Sequence, residues 1–410
     1  MYNAPGSRLP FPEIRIWPFS GKDGPKVSKV GADNTSPADR FAFKLFRELT
    51  RGRETSNVFF SPFSVMLCLL MVWEGASGET REAMTRVLEI AGEDLDPSQR
   101  PLRIAKVLQL LKSALAIRIP GLELAVANSL WYSDQLRVES AYLSQVKKNY
   151  AAEVFPIPMA EPQSVARING WVAEKTGGKI PQVLDSLDSL ALLAAVNAIY
   201  FKGAWQEQFQ KYFTRMESFL AAGKQTIQVP LMHQDDEYPY YEEESFQAVR
   251  ISYRGQHVGM YVFLPAKDSG LPDFLRAVTP THWDRWLRNL QTRPGILALP
   301  RFKVEYGVRL EPMLENLGMA DAFRPETARF DRIAPPPPPL WLDVIIHRAV
   351  VEVNEEGTEA AAATATVITV GMPQSPPPPF KMIVDRPFFF AIRDDQSRTI
   401  LFLGAVNNPA

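Results

Sequence analysis

Four histidines, His233, His257, His282 and His347, are the only imidazoles in 410 residues. None stands in an H-E-x-x-H pair, the spacing that sets two zinc ligands and a base on one helix face. Cys68 is the single cysteine, which excludes a thiolate zinc site and an internal disulfide framework. It lies in the apolar run VMLCLLMVW, residues 65–73, and reads as a buried structural thiol. No G-x-S-x-G elbow presents a serine nucleophile; GASGE, residues 75–79, has its serine in the wrong frame. TGGKI, residues 176–180, lacks the upstream glycine and the Ser/Thr of a phosphate loop, and no G-x-G-x-x-G occurs. The acidic cluster DDEYPYYEEE, residues 235–244, has no EF-hand spacing and reads as a solvated loop.

His347 has the most informative context. In DVIIHRAVVEV, residues 343–353, alternation puts it on one face with Ile345, Ala349, Val351 and Val353, while Arg348 and Glu352 point the other way. An imidazole on an apolar strand face is first of all a core residue held by hydrogen bonds. No catalytic residue, metal ligand set or cofactor is therefore expected, and the chain does not read as an enzyme.

What remains is the chemistry of the backbone. The stretch EEGTEAAAATATVITVGMPQSPPPPF, residues 355–380, has no charge, proline or glycine from Ala360 to Val370. That composition favours a strand and leaves nothing to prevent its pairing, where most proteins would place a guarding lysine or proline. As a strand, one face would carry Thr358, Ala360, Ala362, Thr364, Thr366 and Ile368, all small or apolar. The other would carry Glu359, Ala361, Ala363, Ala365, Val367 and Thr369, with its only charge at the start. Inserted between two strands, the segment would form about a dozen backbone hydrogen bonds at ~1 kcal/mol net each. With burial of the Val, Ile and Thr surface, the gain is on the order of 10–20 kcal/mol, which rivals a whole domain's stability. The free protein would then be metastable, with this loop as its stored energy.

Such a loop needs a large sheet to enter. The composition, 46% hydrophobic and 22% charged with a net charge of −1, is that of a soluble globular protein and gives no reason to expect nucleic acid or a membrane as partner. No run approaches the roughly eighteen apolar residues of a membrane span. The N-terminus shows no apolar signal-peptide core, so a cytoplasmic location is the default and an extracellular one stays open. The sequon Asn34-Thr35-Ser36 says little by itself. Residues 1–36 read as an irregular arm and 37–410 as one domain. Ser36-Pro37 and Ser61-Pro62 open helices, the second apolar nearly all round and well placed to end at Gly75. Residues 164–176 are helical and stop at Gly177-Gly178. Strands are expected at AVANSLWY (125–132), VGMYVFLP, LALPRFKVEY and LWLDVIIHRAVVEVNEE; LALLAAVNAIYFKGAW (190–205) fits a buried helix or a strand buried on both faces, the interior strand being favoured. FFFAIRD and RTILFLGAV form a hairpin across Asp395–Ser397. Helices cluster early and strands late, which is α+β. Pro335–Pro339 and Pro376–Pro379 read as surface polyproline II spacers, and the basic residues of Arg100–Arg118 as a solvated helix face.

These residues meet a known family. VNEEGTEAAAATA (353–365) resembles the hinge of inhibitory serpins. NVFFSPFSVMLCLLMVWEGASGETREAM (57–84), NAIYFKGAWQEQF (197–209), DRPFFFAIRD (385–394) and ILFLGAVNNP (400–409) resemble the family's other signature segments, in the correct order. The resemblance covers nearly everything from Pro37 to Pro409. It implies a large central mixed sheet with helices packed on it, two further sheets, and an exposed reactive-centre loop from Gly357 to about Phe380. It assigns the hinge to Glu355, Glu356, Gly357, Thr358, Glu359, Ala360, Ala361, Ala362 and Ala363. Trp205 and Arg301 would form the breach at the top of the sheet; Ser61, Ser64, Asn197 and His347 would form the shutter beneath its strands.

The implied activity is suicide inhibition. A serine protease cuts the loop, forms an acyl-enzyme, and is dragged across the sheet as the freed strand inserts. The family's spacing from Glu355 puts the scissile bond after Gly371. Met372 would suit a chymotrypsin-like protease, a third target class, but the Met372-Pro373 amide is one that most serine proteases refuse; Gly371-Met372 and Val370-Gly371 remain, both suited to an elastase- or subtilisin-like pocket. The implied partner is a protease in a 1:1 covalent complex, the implied state a monomer, and the implied hazard polymerisation by loop insertion. The alternative is a non-inhibitory serpin acting as a carrier or chaperone-like binder.

Overall fold

The computed structural model describes residues 35–90, 100–150, 152–358 and 378–410. Early helices are α1 (Pro37–Thr50), α2 (Pro62–Gly75), α3 (Gly78–Val87), α4 (Arg100–Leu115), α5 (Ser140–Tyr150) and α6 (Pro162–Lys175). Three more, α7 (Gly270–Ala277), α8 (Pro280–Asn289) and α9 (Glu311–Leu314), fall among the later strands. The first strands are β1 (Val58–Phe60), β2 (Leu122–Ser133), β3 (Glu153–Ile157), β4 (Leu193–Ala204) and β5 (Arg215–Leu220). Then come β6 (Thr226–Glu243), β7 (Phe246–Ser252), β8 (Val258–Pro265), β9 (Gln291–Pro300) and β10 (Phe302–Arg309). Last are β11 (Val344–Val353), β12 (Gly357–Thr358), β13 (Phe380–Ile383), β14 (Phe388–Asp394) and β15 (Thr399–Val406).

The serine caps act as expected. Ser36 Oγ accepts from Asp39 N–H at 3.0 Å and Ser61 Oγ from Ser64 N–H at 3.1 Å, each just ahead of a proline in the first turn. Every residue of α2 except Glu74 is buried. Gly75 matters for packing rather than for a left-handed cap. The helix ends on extended Ala76, and a Cβ at Gly75 would sit 2.0 Å from Ile333 Cγ1. α6 does stop at Gly177 and Gly178, both at positive φ.

The central sheet runs β10-β11-β4-β2-β3, with β12 added beside β4. β11 is parallel to β4 and β2 antiparallel to it, so the sheet is mixed. β4 is covered on both faces, which explains its unbroken apolar run. Leu193, Ala195, Ile199 and Phe201 join the core that holds α2, while Ala194, Val196, Ala198 and Tyr200 pack in a second core with Ile168 and Val172 of α6.

The remaining strands run β1-β15-β14-β8-β7-β6-β9-β13, with β5 on β6. Long β6 joins two parts of this network. Its start pairs with β5, its middle with β9, and its end with β7. The acidic cluster is thereby corrected from a loop to a strand: Asp235–Tyr240 pair with Gln291–Ile296, and Tyr238 and Tyr240 are buried. Tyr238 and Tyr240, buried at a spacing of two, are the strand signal that the charge count obscured. Pro335–Pro339 are exposed, but the chain bends at Pro336, Pro337 and Pro338 rather than running as a straight polyproline II rod. Residues 35–410 form one compact unit.

Candidate functional site

The site is a seam. β11 and β4 pair from Val344↔Ala194 to Val350↔Tyr200. Above that level β11 stays with β10 up to Phe302↔Val353, while β4 continues to Ala204 without β11, still paired with β2 on its other edge. β12 fills the opening, antiparallel to β4, with Gly357↔Ala204 and Thr358↔Gly203. Glu356 O accepts from Trp205 N–H at 3.1 Å, and Glu355 O from Phe209 N–H at 3.0 Å. Gly357 is required there. Its φ is +133°, and a Cβ would lie 2.2 Å from Gly203 O and 2.7 Å from Ala204 Cα.

Side chains fasten this hinge. The Trp205 indole donates to Asn354 O at 2.9 Å and stacks on Tyr253 with centroids 4.5 Å apart. Thr358 Oγ1 lies 3.0 Å from the Tyr253 hydroxyl and is buried. The buried Glu355 carboxylate accepts from Thr214 Oγ1 at 2.6 Å and from the Arg301 guanidinium. Burial pushes that carboxyl up, but the hydrogen bonds from Arg301 and Thr214 outweigh it and hold it below its usual range. Glu356 pairs with exposed Lys211 at 2.6 Å. Trp205 and Arg301 thus meet the hinge, as do Thr214, Lys211 and Tyr253, which sequence reasoning missed. Their partners lie more than a hundred residues away, and no local pattern marks them.

Lower on the seam, a row of polar side chains crosses three strands. His347 on β11, Asn197 on β4 and Asn128 on β2 are register partners. His347 Nε2 accepts from Ser61 N–H at 3.1 Å, so its proton sits on Nδ1 and is donated to Asn197 Oδ1. The Asn197 amide donates to Ser64 O at 3.2 Å, to Ser64 Oγ and to Asn128 Oδ1. Phe60 closes the imidazole edge-on. All five polar residues are buried, and burial pushes the His347 pKa down to about 3. The imidazole is neutral and holds strands together. Asn128 also escaped the sequence reading, although alternation within AVANSLWY puts it on a face with Val126 and Leu130.

At the base of the seam the Asp343 carboxylate accepts from Leu192 N–H at 2.8 Å and Leu193 N–H at 3.0 Å. The loop's other end is held in the second network. Phe380 stacks on Tyr240 at 3.9 Å, over Gly295, where a Cβ would strike its ring. Glu359, Ala360, Ala361, Ala362 and Ala363 of the expected hinge, and Val370, Gly371 and Met372 around the expected cleavage point, lie outside the described residues. Among the described residues no cluster of His, Cys, Asp and Glu is arranged to hold a metal ion.

The comparisons with known proteins agree with this geometry. A profile described as Serpin (serine protease inhibitor) matches residues 36–409. An uncharacterised serpin-like protein of Thermococcus kodakarensis is 34% identical over 390 residues, covering 95% of this chain and 87% of its own. The leukocyte elastase inhibitor of Bos taurus is 33% identical over 395 residues, covering 93% of this chain and 100% of its own. Among solved structures, the thermophilic serpin tengpin in its native state matches with a TM-score of 0.81 at 26% identity, over 93% of this chain and 96% of that one. Human thyroxine-binding globulin, solved as a complex with thyroxine, gives 0.82 at 28% identity, over 92% and 98%.

Proposed function

The chain belongs to the serpin family, a family of protease inhibitors, and from that premise we propose that it traps serine proteases by inserting its own cleaved loop. The observation that carries this reading is the hinge. Gly357 and Thr358 are already paired with β4 in the opening above β11, and the residues that follow are free of charge and proline from Ala360 to Val370. A strand started at the top of a seam needs only its other end released to continue downward.

The chemistry belongs to the protease. Its serine Oγ attacks the carbonyl carbon of the scissile bond, placed at Gly371-Met372 or Val370-Gly371. The amide nitrogen leaves, takes a proton and becomes a new N-terminus; an ester joins the protease to the loop. Small residues there suit elastase- or subtilisin-like enzymes. The freed segment then pairs between β4 and β11 faster than water cleaves the ester. Its gain, on the order of 10–20 kcal/mol, comes from about a dozen backbone hydrogen bonds and the apolar surface buried with them. In this reading residues 37–410 act as one domain, the working form is a monomer in a 1:1 complex, and polymers arise when one molecule's loop enters another's sheet.

Incubation with elastase, subtilisin and chymotrypsin, followed by a denaturing gel, tests the proposal. A band at the summed mass is expected. Loop cleavage with no covalent band would sink it and favour a carrier, the second reading, which the likeness to thyroxine-binding globulin keeps in play.

A further inference from the structure

A cavity of about 270 Å³ lies between the end of α1 and α7, and no hinge residue or member of the buried polar row lines it. Past α1 the chain turns at Gly52, at positive φ, and doubles back toward β1. Arg53 N–H donates to Thr50 O and Ser56 N–H to Arg53 O, both at 3.1 Å, which fixes the corner. Because α1 buries Leu45, Phe46 and Leu49, Arg47 and Arg51, one turn apart, share its exposed side and face the cavity.

The lining has two characters. Val58, Leu271 and Ala405 are buried and Leu275 is half-buried, which gives an apolar floor. The rim carries the guanidiniums of Arg47, Arg51, Arg53 and Arg276, against one carboxylate, the exposed Glu54. Arg51 pairs with Glu48 at 3.2 Å, and Arg276 with Asp273. Even with those two acids counted, cations outnumber carboxylates. Arg53 gives one of its five N–H donors to the Tyr306 hydroxyl at 2.6 Å. Among the described residues the Arg47 guanidinium has no hydrogen bond or ion pair.

An apolar floor under a cationic rim selects a molecule that is both apolar and anionic. An inorganic anion would leave the floor wet, and a neutral apolar molecule would leave Arg47 without a partner. At ~30 Å³ per water, the space equals about nine waters, which suits a ligand of about ten non-hydrogen atoms. We propose that this cavity binds a small amphipathic acid, a carboxylate on an aliphatic body of about eight carbons. The body displaces water from Val58, Leu271, Leu275 and Ala405. The carboxylate stays at the mouth, held by Arg47 and the guanidiniums beside it. Such binding is independent of whether the loop traps a protease.

Titration calorimetry of the full chain with straight-chain carboxylates tests the proposal. Affinity is expected to rise about fourfold per added methylene from butanoate to octanoate. It should then level off in decanoate and dodecanoate, whose further carbons find no floor. Octanamide, as long but uncharged, should bind roughly tenfold more weakly. The double variant Arg47→Gln, Arg276→Gln changes two exposed side chains and should weaken octanoate about tenfold, with the thermal midpoint of the free protein unchanged. The chain series and the amide need only the wild-type protein, so they decide even if the variant does not fold. No octanoate binding at millimolar concentration, or octanamide binding as tightly as octanoate, would overturn the proposal. So would an affinity that keeps climbing to dodecanoate, the mark of an open surface, or wild-type affinity in the double variant, which would put the acid elsewhere.

Discussion

Two polar clusters serve the seam between β4 and β11, and they are built in opposite ways. At mid-height, Ser61, Ser64, Asn128, Asn197 and His347 are buried and uncharged. At the top, Glu355 faces Arg301 and Glu356 faces Lys211, with both cations reaching water. A neutral cluster can be parted without leaving a naked charge in the dry interior. An ion pair near solvent holds direction but little free energy. On the proposed mechanism, the middle of the seam supplies reluctance to open, and the top supplies the position of the strand that enters.

Acid should break the first cluster most severely. His347 has a folded pKa of about 3 against about 6.5 unfolded. The unfolded chain takes up the proton between those values and the folded chain does not, so stability falls as pH drops from 6.5 toward 3. The slope is about 1.4 kcal/mol per pH unit from this group alone. Urea melts of wild type and His347→Gln across that window isolate it, because the variant lacks the term. Next in size, Asn197→Ala should cost about 2–4 kcal/mol, since it strands the His347 Nδ1–H and leaves a small cavity. Denaturant midpoints at pH 8 check this.

At the top the effects should be smaller and of another kind. Gly357→Ala forces a Cβ onto Gly203 O and should cost about 1–3 kcal/mol through strain. It should also expel β12 from the seam, read as faster cutting of the hinge by a non-target protease. Arg301→Gln should cost about 1 kcal/mol or less, because Arg301 is 46% exposed and Thr214 still serves Glu355. A loss at Arg301 as large as that at Asn197 would erase the contrast between the two clusters.

Much of the seam was readable in the chain. The unbroken apolar run of β4, the alternation around His347 and the Ser-Pro helix starts each follow from local periodicity or a single capping bond. The partners of the hinge were not readable. Thr214, Lys211 and Tyr253 meet Glu355, Glu356 and Thr358 only through the packing of distant strands, and their local sequence carries no mark of it. The acidic run of β6 misled because charge was weighed above Tyr238 and Tyr240, buried at a spacing of two within it. The bent prolines misled because a homopolymer preference was extended to a segment pinned by Ala334 and Leu340.

The central claim is that the loop is a strand waiting for release, and the thermal unfolding of intact protein against protein cut in its loop by elastase tests it most directly. Insertion worth 10–20 kcal/mol in a domain of this size should raise the midpoint by about 10–25 °C. A cut protein that melts at the same temperature as the intact one would contradict the account.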